Sequence, residues 1–309
     1  MPFARRGRSV DGRPTPDRVP ASSERAGVSS RLAGRRRRPF DVALAATLHD
    51  PPGTLGGDIR RTLGHLARYY RTVSVATSPP TARTVKALLE DAGVHAGTPA
   101  QNVRGPLYRL SIRRALAGGA GRVHYLDLDR ALRWIRRRPR ELAAVLRVAR
   151  RHRVLLLGRT PGAHRSHHLP LYATEVLANR LMGLRLGITG RVDVLVPSFV
   201  IEAPAAASLL ARSRARDLAI YGEWAALALG MAAEVAYLEC RGLDWETPDR
   251  HRRAVGRLGL AAWRRRQETP AEWQLRIDLA GDIVAGFERA RAHWPTPAPA
   301  LRRITPRAG

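Results

Sequence analysis

Lysine is almost missing from this chain: Lys86 is the only one among 54 basic residues, so the formal net charge of +28 is carried by arginine. That bias fits a GC-rich coding sequence as well as a binding requirement. Its sign still matters, because so basic a surface attracts polyanions, anionic lipid headgroups and phosphorylated small molecules. Cysteine is equally scarce. Cys240 stands alone in 309 residues, which excludes an internal disulfide and points to a reducing, cytoplasmic setting. Long apolar runs are lacking too. The longest candidate, Trp224 to Leu238, is interrupted by Glu234 and falls short of the roughly 18 to 20 residues that a membrane span needs. No glycine-rich phosphate loop of the Walker or dinucleotide type occurs, which argues against ATPase and dehydrogenase chemistry. No internal repeat is present, so a solenoid is excluded.

What is there has three compositions. Residues 1–40 are dense in Arg, Pro, Ser and Gly, have no apolar period and include the run Arg35-Arg36-Arg37-Arg38; a disordered basic tail is expected. It lacks the apolar segment of a secretory signal, and its arginine run is a candidate for peripheral contact with an anionic membrane at the inner face. Residues 296–309, rich in proline, are expected to form a flexible tail. Between them, 41–295 alternate short apolar runs with helical periods, the rhythm of an α/β domain with a mostly parallel central sheet. Expected strands lie at Val42 to Thr47, Val73 to Ala76, near Val94, from Val123 to an end in Asp127-Leu128-Asp129, and at Val154 to Leu157, Val192 to Val196 and Val235 to Leu238. A helix from about Leu171 to Leu184 should turn Val176, Leu177 and Leu181 inward. Two long helices, roughly Pro248 to Arg266 and Pro270 to His293, should close the domain, the second with Trp273, Ile277, Val284 and Phe287 inside.

Acid is spent most deliberately at Val123-His124-Tyr125-Leu126-Asp127-Leu128-Asp129-Arg130. In an extended chain alternate side chains point the same way, so Asp127 and Asp129 are expected to share one face about 7 Å apart near the strand's C-terminal end. Carboxylates that close repel unless a cation neutralises them, and a hard divalent ion held by one or two carboxylates plus substrate phosphates is the common solution. The alternative is that one aspartate caps a helix beginning at Arg130 while the other merely ends the strand.

Four stretches in order, Tyr125-Leu126-Asp127-Leu128-Asp129-Arg130, Leu157-Gly158-Arg159-Thr160, Gly222-Glu223-Trp224 and Gly242-Leu243-Asp244-Trp245-Glu246-Thr247, resemble bacterial glycosyltransferases related to family 2, with the GT-A fold of nucleotide-diphospho-sugar transferases. The similarity covers about residues 41 to 266. It implies a Mg²⁺ or Mn²⁺ ion on Asp127 and Asp129, a nucleotide-diphosphate sugar as donor and a hydroxyl acceptor. The Gln-x-x-Arg-Trp pattern of processive members is absent, which argues against a polysaccharide synthase.

Arg130 and Arg159 are expected as diphosphate clamps, since a guanidinium pairs bidentately with phosphate oxygens. Asp50, in the turn after the first strand, is a candidate for nucleotide binding. Trp224 and Trp245, each beside an acid at an element end, are candidates for substrate contact. Glu223 is the expected general base, with Asp217 and Asp244 next in line. Three alternatives compete. His164, His167 and His168 could hold zinc; the scaffold could be an inactive polyanion binder; or the chain could be a nucleotidyltransferase. Nucleic acid is not an expected partner of the catalytic domain.

Overall fold

The central strand explains the architecture. In the computed structural model, which describes residues 40–188, 190–195, 198–294 and 300–305, Phe40–Leu48 (β1) is buried continuously from Val42 to Leu48. A strand that is apolar on both faces belongs in a parallel sheet covered on both sides. The other described strands are Tyr70–Thr77 (β2), His95–Gly97 (β3), Arg122–Asp127 (β4), Val154–Arg159 (β5), Phe199–Glu202 (β6), Glu234–Cys240 (β7) and Ala300–Arg303 (β8). They form one sheet in the order β3-β2-β1-β4-β6-β5-β7-β8. All pairings are parallel except those of β6, which runs antiparallel to β4 and β5. The mostly parallel sheet flanked by helices that the alternation predicted is therefore present.

Side-chain alternation along β1 divides the core in two. Ala43 and Ala45 face one cluster, with Tyr125, Phe199, Trp224 and Phe287; Val42, Leu44 and Ala46 face the other, with Leu126, Trp134 and Leu146. The first face is covered by Arg104–Ala117 (α3), Ala203–Arg212 (α8), Ala219–Leu229 (α9) and Pro270–Arg291 (α12). The second is covered by Gly56–Leu66 (α1), Leu128–Arg137 (α4) and Pro139–Ala149 (α5). Arg83–Asp91 (α2) flanks α1. Pro161–Arg165 (α6) starts where Thr160 accepts the Ala163 amide, and α12 where Thr269 accepts that of Glu272, each with proline in the first turn, the pairing of cap and proline that helix starts favour.

Several expectations change. Val192 to Leu195 are not in a strand, and Val196 lies outside the described residues; the strand at this place is β6, a few residues on. In Leu169–Arg185 (α7), Val176, Leu177 and Leu181 are exposed, and the buried positions include Leu171, Thr174, Ala178, Asn179 and Met182. The helix expected over Pro248 to Arg266 is a 3₁₀ turn, Thr247–Asp249, followed by Arg252–Leu258 (α10) and Leu260–Arg265 (α11). Gly259, at φ +75°, breaks it, a conformation that glycine reaches without a Cβ penalty. In α12, Phe287 is buried as expected but Ile277 is 54 % exposed, and Ile283, Gly286 and Ala290 complete the inner face. Residues 300–303 pair with β7 as β8 rather than forming a free tail. Nearly all of the expected basic tail, residues 1–39, lies outside the described residues, as do 295–299 and 306–309.

Helices α9 and α12 approach backbone to backbone. A Cβ on Gly222 would lie 1.8 Å from the Ile283 carbonyl oxygen, and one on Gly286 would lie 2.1 Å from that of Ala219. Neither neighbour is a side-chain end that can rotate away. Gly222→Ala is expected to force the helices apart and lower stability by about 1–3 kcal/mol, read as a lower urea midpoint than that of a Gly281→Ala control, where a Cβ meets nothing within 4 Å.

Candidate active site

In this sheet β1 is followed by β2 on one side, whereas β4 lies on the other. That divergence is a topological switch point, and ligands of open α/β sheets bind in the crevice beyond the carboxyl ends of such strands. A cleft of about 530 Å³ opens there, lined by Thr47, His49, Arg104, Asp127, Asp129 and Arg250 among others. Thr47 and Asp127 are register partners at the ends of β1 and β4, and the Thr47 hydroxyl donates to Asp127 Oδ1 at 2.6 Å.

The helix after β4 begins at Leu128, so Asp127 ends the strand and Asp129 stands in the first turn of α4. The pair is thus not the i, i+2 pair of an extended chain. Asp127 occupies the N-cap position, yet its side chain makes no cap hydrogen bond, while Asp129 Oδ1 accepts the amide of Arg130 at 2.8 Å. Burial first, and then the neighbouring Asp129 carboxylate, push the Asp127 carboxyl above the ordinary range. This is the signature of two acids crowded together.

Cations surround them. Arg250 donates to Asp129 Oδ2 and, at 2.9 Å, to the His49 carbonyl, tying the 3₁₀ turn to the end of β1. Arg104 enters from the start of α3. Arg130 does not line the cleft; its Nε lies 3.3 Å from Glu246 Oε2. Burial opposes its charge, but the carboxylates of Glu246, Asp127 and Asp129 hold its guanidinium protonated. Arg130 is thus a buried counter-charge to the acids rather than an open phosphate clamp. His49, bonded to Ser78 at 2.8 Å, is pushed below its ordinary value by burial and then by Arg104 and Arg250, so it is neutral at pH 7. Tyr108 and Tyr221, which also line the cleft, stack at 5.4 Å and share a hydrogen bond between their hydroxyls.

The remaining expected site residues go elsewhere. Asp50 is fully buried and accepts Thr54 N, Thr54 Oγ1 and Leu55 N at 2.8–3.1 Å, so it closes the turn after β1 instead of meeting a nucleotide. Arg159 is also fully buried, bonded through Nε and Nη2 to Asp193 at 2.7 and 3.0 Å and through Nη2 to Glu175. It holds a loop to the sheet and has no face for a diphosphate. Asp244 is taken up bidentately by Arg133 at 2.8 and 2.9 Å. Trp224 is 1 % exposed, its indole N–H given to Ser213. Trp245 is 4 % exposed against His168 and Trp263. Both tryptophans are core.

Glu223 needs the clearest correction. It stands inside α9, 8 % exposed, and accepts Ser213 Oγ at 2.7 Å, Arg214 N at 2.7 Å and Ala215 N at 2.9 Å. Those donors hold the α8–α9 loop, and Glu223 does not line the cleft that holds Asp127. Glu223→Gln is expected to cost about 1–3 kcal/mol, the scale of an unsatisfied buried polar group, measured as a lower melting temperature. Loss of turnover in a variant of unchanged stability would restore its role as base.

Histidines 164, 167 and 168 bond to Glu175, to the backbone carbonyls of Ala163 and His164, and to Glu272 respectively. Among the described residues no group of three or more His, Cys, Asp or Glu side chains could hold a metal ion. Protein ligands alone therefore do not make a cage. The aspartate pair nevertheless fits an ion whose shell phosphates complete, because Asp127 lines the cleft with only Oδ1 committed to a side-chain partner.

Sequence reasoning missed Arg104, Arg250, Tyr108 and Tyr221. The arginines carried no local signal in so arginine-rich a chain, and the tyrosines were visible only as helix residues. Glu246 lay in a quoted stretch but had no assigned role.

No protein-family model and no curated protein matches the chain. Solved structures do. Glucosyl-3-phosphoglycerate synthase from Mycobacterium tuberculosis, in complex with phosphoglyceric acid, is 12% identical over 85% of this chain and 88% of that one, with a TM-score of 0.44. The complex of that enzyme with Mn²⁺, UDP-glucose and phosphoglyceric acid is 13% identical over 84% and 82%, at 0.46. Its complex with Mg²⁺ and UDP is 11% identical over 84% and 81%, at 0.42.

Proposed function

We propose that the chain is a GT-A-type glycosyltransferase that moves a sugar from a nucleotide-diphosphate donor to a hydroxyl acceptor, with Mg²⁺ or Mn²⁺ at Asp127 and Asp129. The observation that supports it is the crowded acid pair at a sheet switch point, in a cleft that Arg104, Arg250 and Arg276 line together with the further acids Glu175 and Glu246. A diphosphate bridged by a divalent ion satisfies both signs of charge there. When bound, the ion would neutralise charge developing on the leaving diphosphate.

This chain's own residues do the rest. Arg104 and Arg250 present guanidinium groups to phosphate oxygens. Asp129 and the His49 carbonyl fix the direction of Arg250, and Thr47 fixes that of Asp127. The Tyr108–Tyr221 stack supplies a rigid wall. A thermal-shift panel of UDP-, GDP- and ADP-sugars with and without Mn²⁺ tests the proposal, since a ligand of the native state stabilises it by mass action. A shift that requires the metal is expected with one base. Stabilisation by polyanions alone, weakened steeply by salt, would support the inactive polyanion binder instead.

A further inference from the structure

Outside the cleft, a second cavity of about 640 Å³ opens between the α8–α9 loop and the end of α12, and it shares no lining residue with the first. Its size is that of a small-molecule site. Arg212, Arg214, Arg289 and His293 line it, with Glu223 as the lone acid. Glu223 is already saturated by the Ser213 hydroxyl and the Arg214 and Ala215 amides, so its charge is spent on the loop. Arg133, Arg159, Arg185, Arg191, Arg250 and Arg252 each pair with a carboxylate. By contrast Arg212, Arg214 and Arg289 have no acidic partner among the described residues.

The walls are held in place. Arg214 Nη1 donates to the carbonyls of Ala211 and Ser213 at 2.8 and 3.1 Å, which fixes one end of its guanidinium and leaves Nε and Nη2 for a ligand. The Trp294 indole N–H donates to the Ala226 carbonyl at 2.8 Å. The ring seats on Gly230, where a Cβ would come within 2.7 Å of it. With Leu227 it gives an apolar side to a cavity whose other side is cationic.

We infer that this cavity is a second binding site, for a small molecule that carries a phosphate group. Guanidinium groups grip phosphate through parallel hydrogen bonds, three arginines line this cavity while its one carboxylate is taken up by the α8–α9 loop, and the apolar wall takes the rest of the molecule. The assignment is independent of the proposed transferase activity.

Calorimetric titration of the full chain with inorganic phosphate, at constant ionic strength, tests it. The parent should bind phosphate. Arg212→Gln combined with Arg289→Gln should weaken that binding at least tenfold while leaving the phosphate-free melting temperature unchanged, because both side chains are exposed. Arg250→Gln, in the other cleft, should retain the event that the double variant loses. No phosphate binding by the parent, or equal binding by parent and double variant, would overturn the site.

Discussion

Asp127→Asn is expected to abolish metal-dependent binding of a nucleotide-diphosphate sugar and to lower transfer on the order of 10²-fold or more, the scale for removing one charge-stabilising group from an active site. The amide keeps the shape and can still accept the Thr47 hydroxyl, so the fold should survive. What it loses is the charge. Asp129→Asn should behave differently. It breaks an ion pair with Arg250, and the freed guanidinium remains attractive to phosphate, so nucleotide affinity in the absence of metal should fall less, or rise, while metal dependence is lost. Calorimetric titration with nucleoside diphosphate, with and without Mn²⁺, separates the two variants. Parent-like metal dependence in both would remove the acid pair from the site.

The second large effect is on stability. Arg159→Met is expected to cost about 3–5 kcal/mol, because truncating one partner of a buried ion pair leaves the other charge uncompensated. Arg159 and Asp193 are both fully buried. The space is filled, too: a Cβ on Gly158 would lie 2.2 Å from Tyr237 Oη and 2.6 Å from the Asp193 carbonyl oxygen.

Burial alone would raise the Asp193 carboxyl, but the Arg159 guanidinium beside it holds it well below the ordinary range. A carboxyl depressed in the folded state contributes stability that is complete above the unfolded value of about 4. That contribution is lost as the pH falls through the folded value. Asp193→Asn should accordingly be less stable than the parent at pH 7 and lose less on acidification below about pH 4. Urea midpoints at pH 7 and pH 3 for both proteins check this, and parallel losses would show that the pair does not carry the acid sensitivity.

Strands β2 and β3 were legible at Val73 to Ala76 and near Val94, but the clearest were those buried on both faces. β1, β4, β5 and β7 each read as a continuous apolar run, the mark of a parallel strand between helix layers. β6 did not, because four residues are too few to establish a period and Val192 to Leu195, just before it, is equally apolar. In that loop Asp193 is what matters: it accepts the Arg159 and Asn179 side chains, a pairing between residues far apart in the chain that no local pattern signals. The same limit governed the site. Asp127 and Asp129 stood out because acids are scarce and these two follow an apolar strand. Glu223 and Asp244 looked equally exposed to chemistry from their neighbours in sequence, but each is consumed by donors from elsewhere, the 213–215 loop and Arg133. Which acid is free and which is saturated is decided by tertiary partners. On α7 Val176, Leu177 and Leu181 satisfied a helical period, yet the face they mark is exposed and Leu171, Ala178 and Met182 pack inward; hydrophobicity identified the helix but not its orientation.

The most direct test of the central claim is a manganese anomalous difference map from crystals grown with a nucleoside diphosphate and Mn²⁺. The account predicts a single strong peak in the cleft beyond β1 and β4, within coordination distance of a carboxylate oxygen of Asp127 or Asp129, with the diphosphate on its other side and Arg104 or Arg250 against the phosphate oxygens. A nucleotide bound in that cleft with no metal peak, or metal and nucleotide bound together at any other place on the chain, would contradict it.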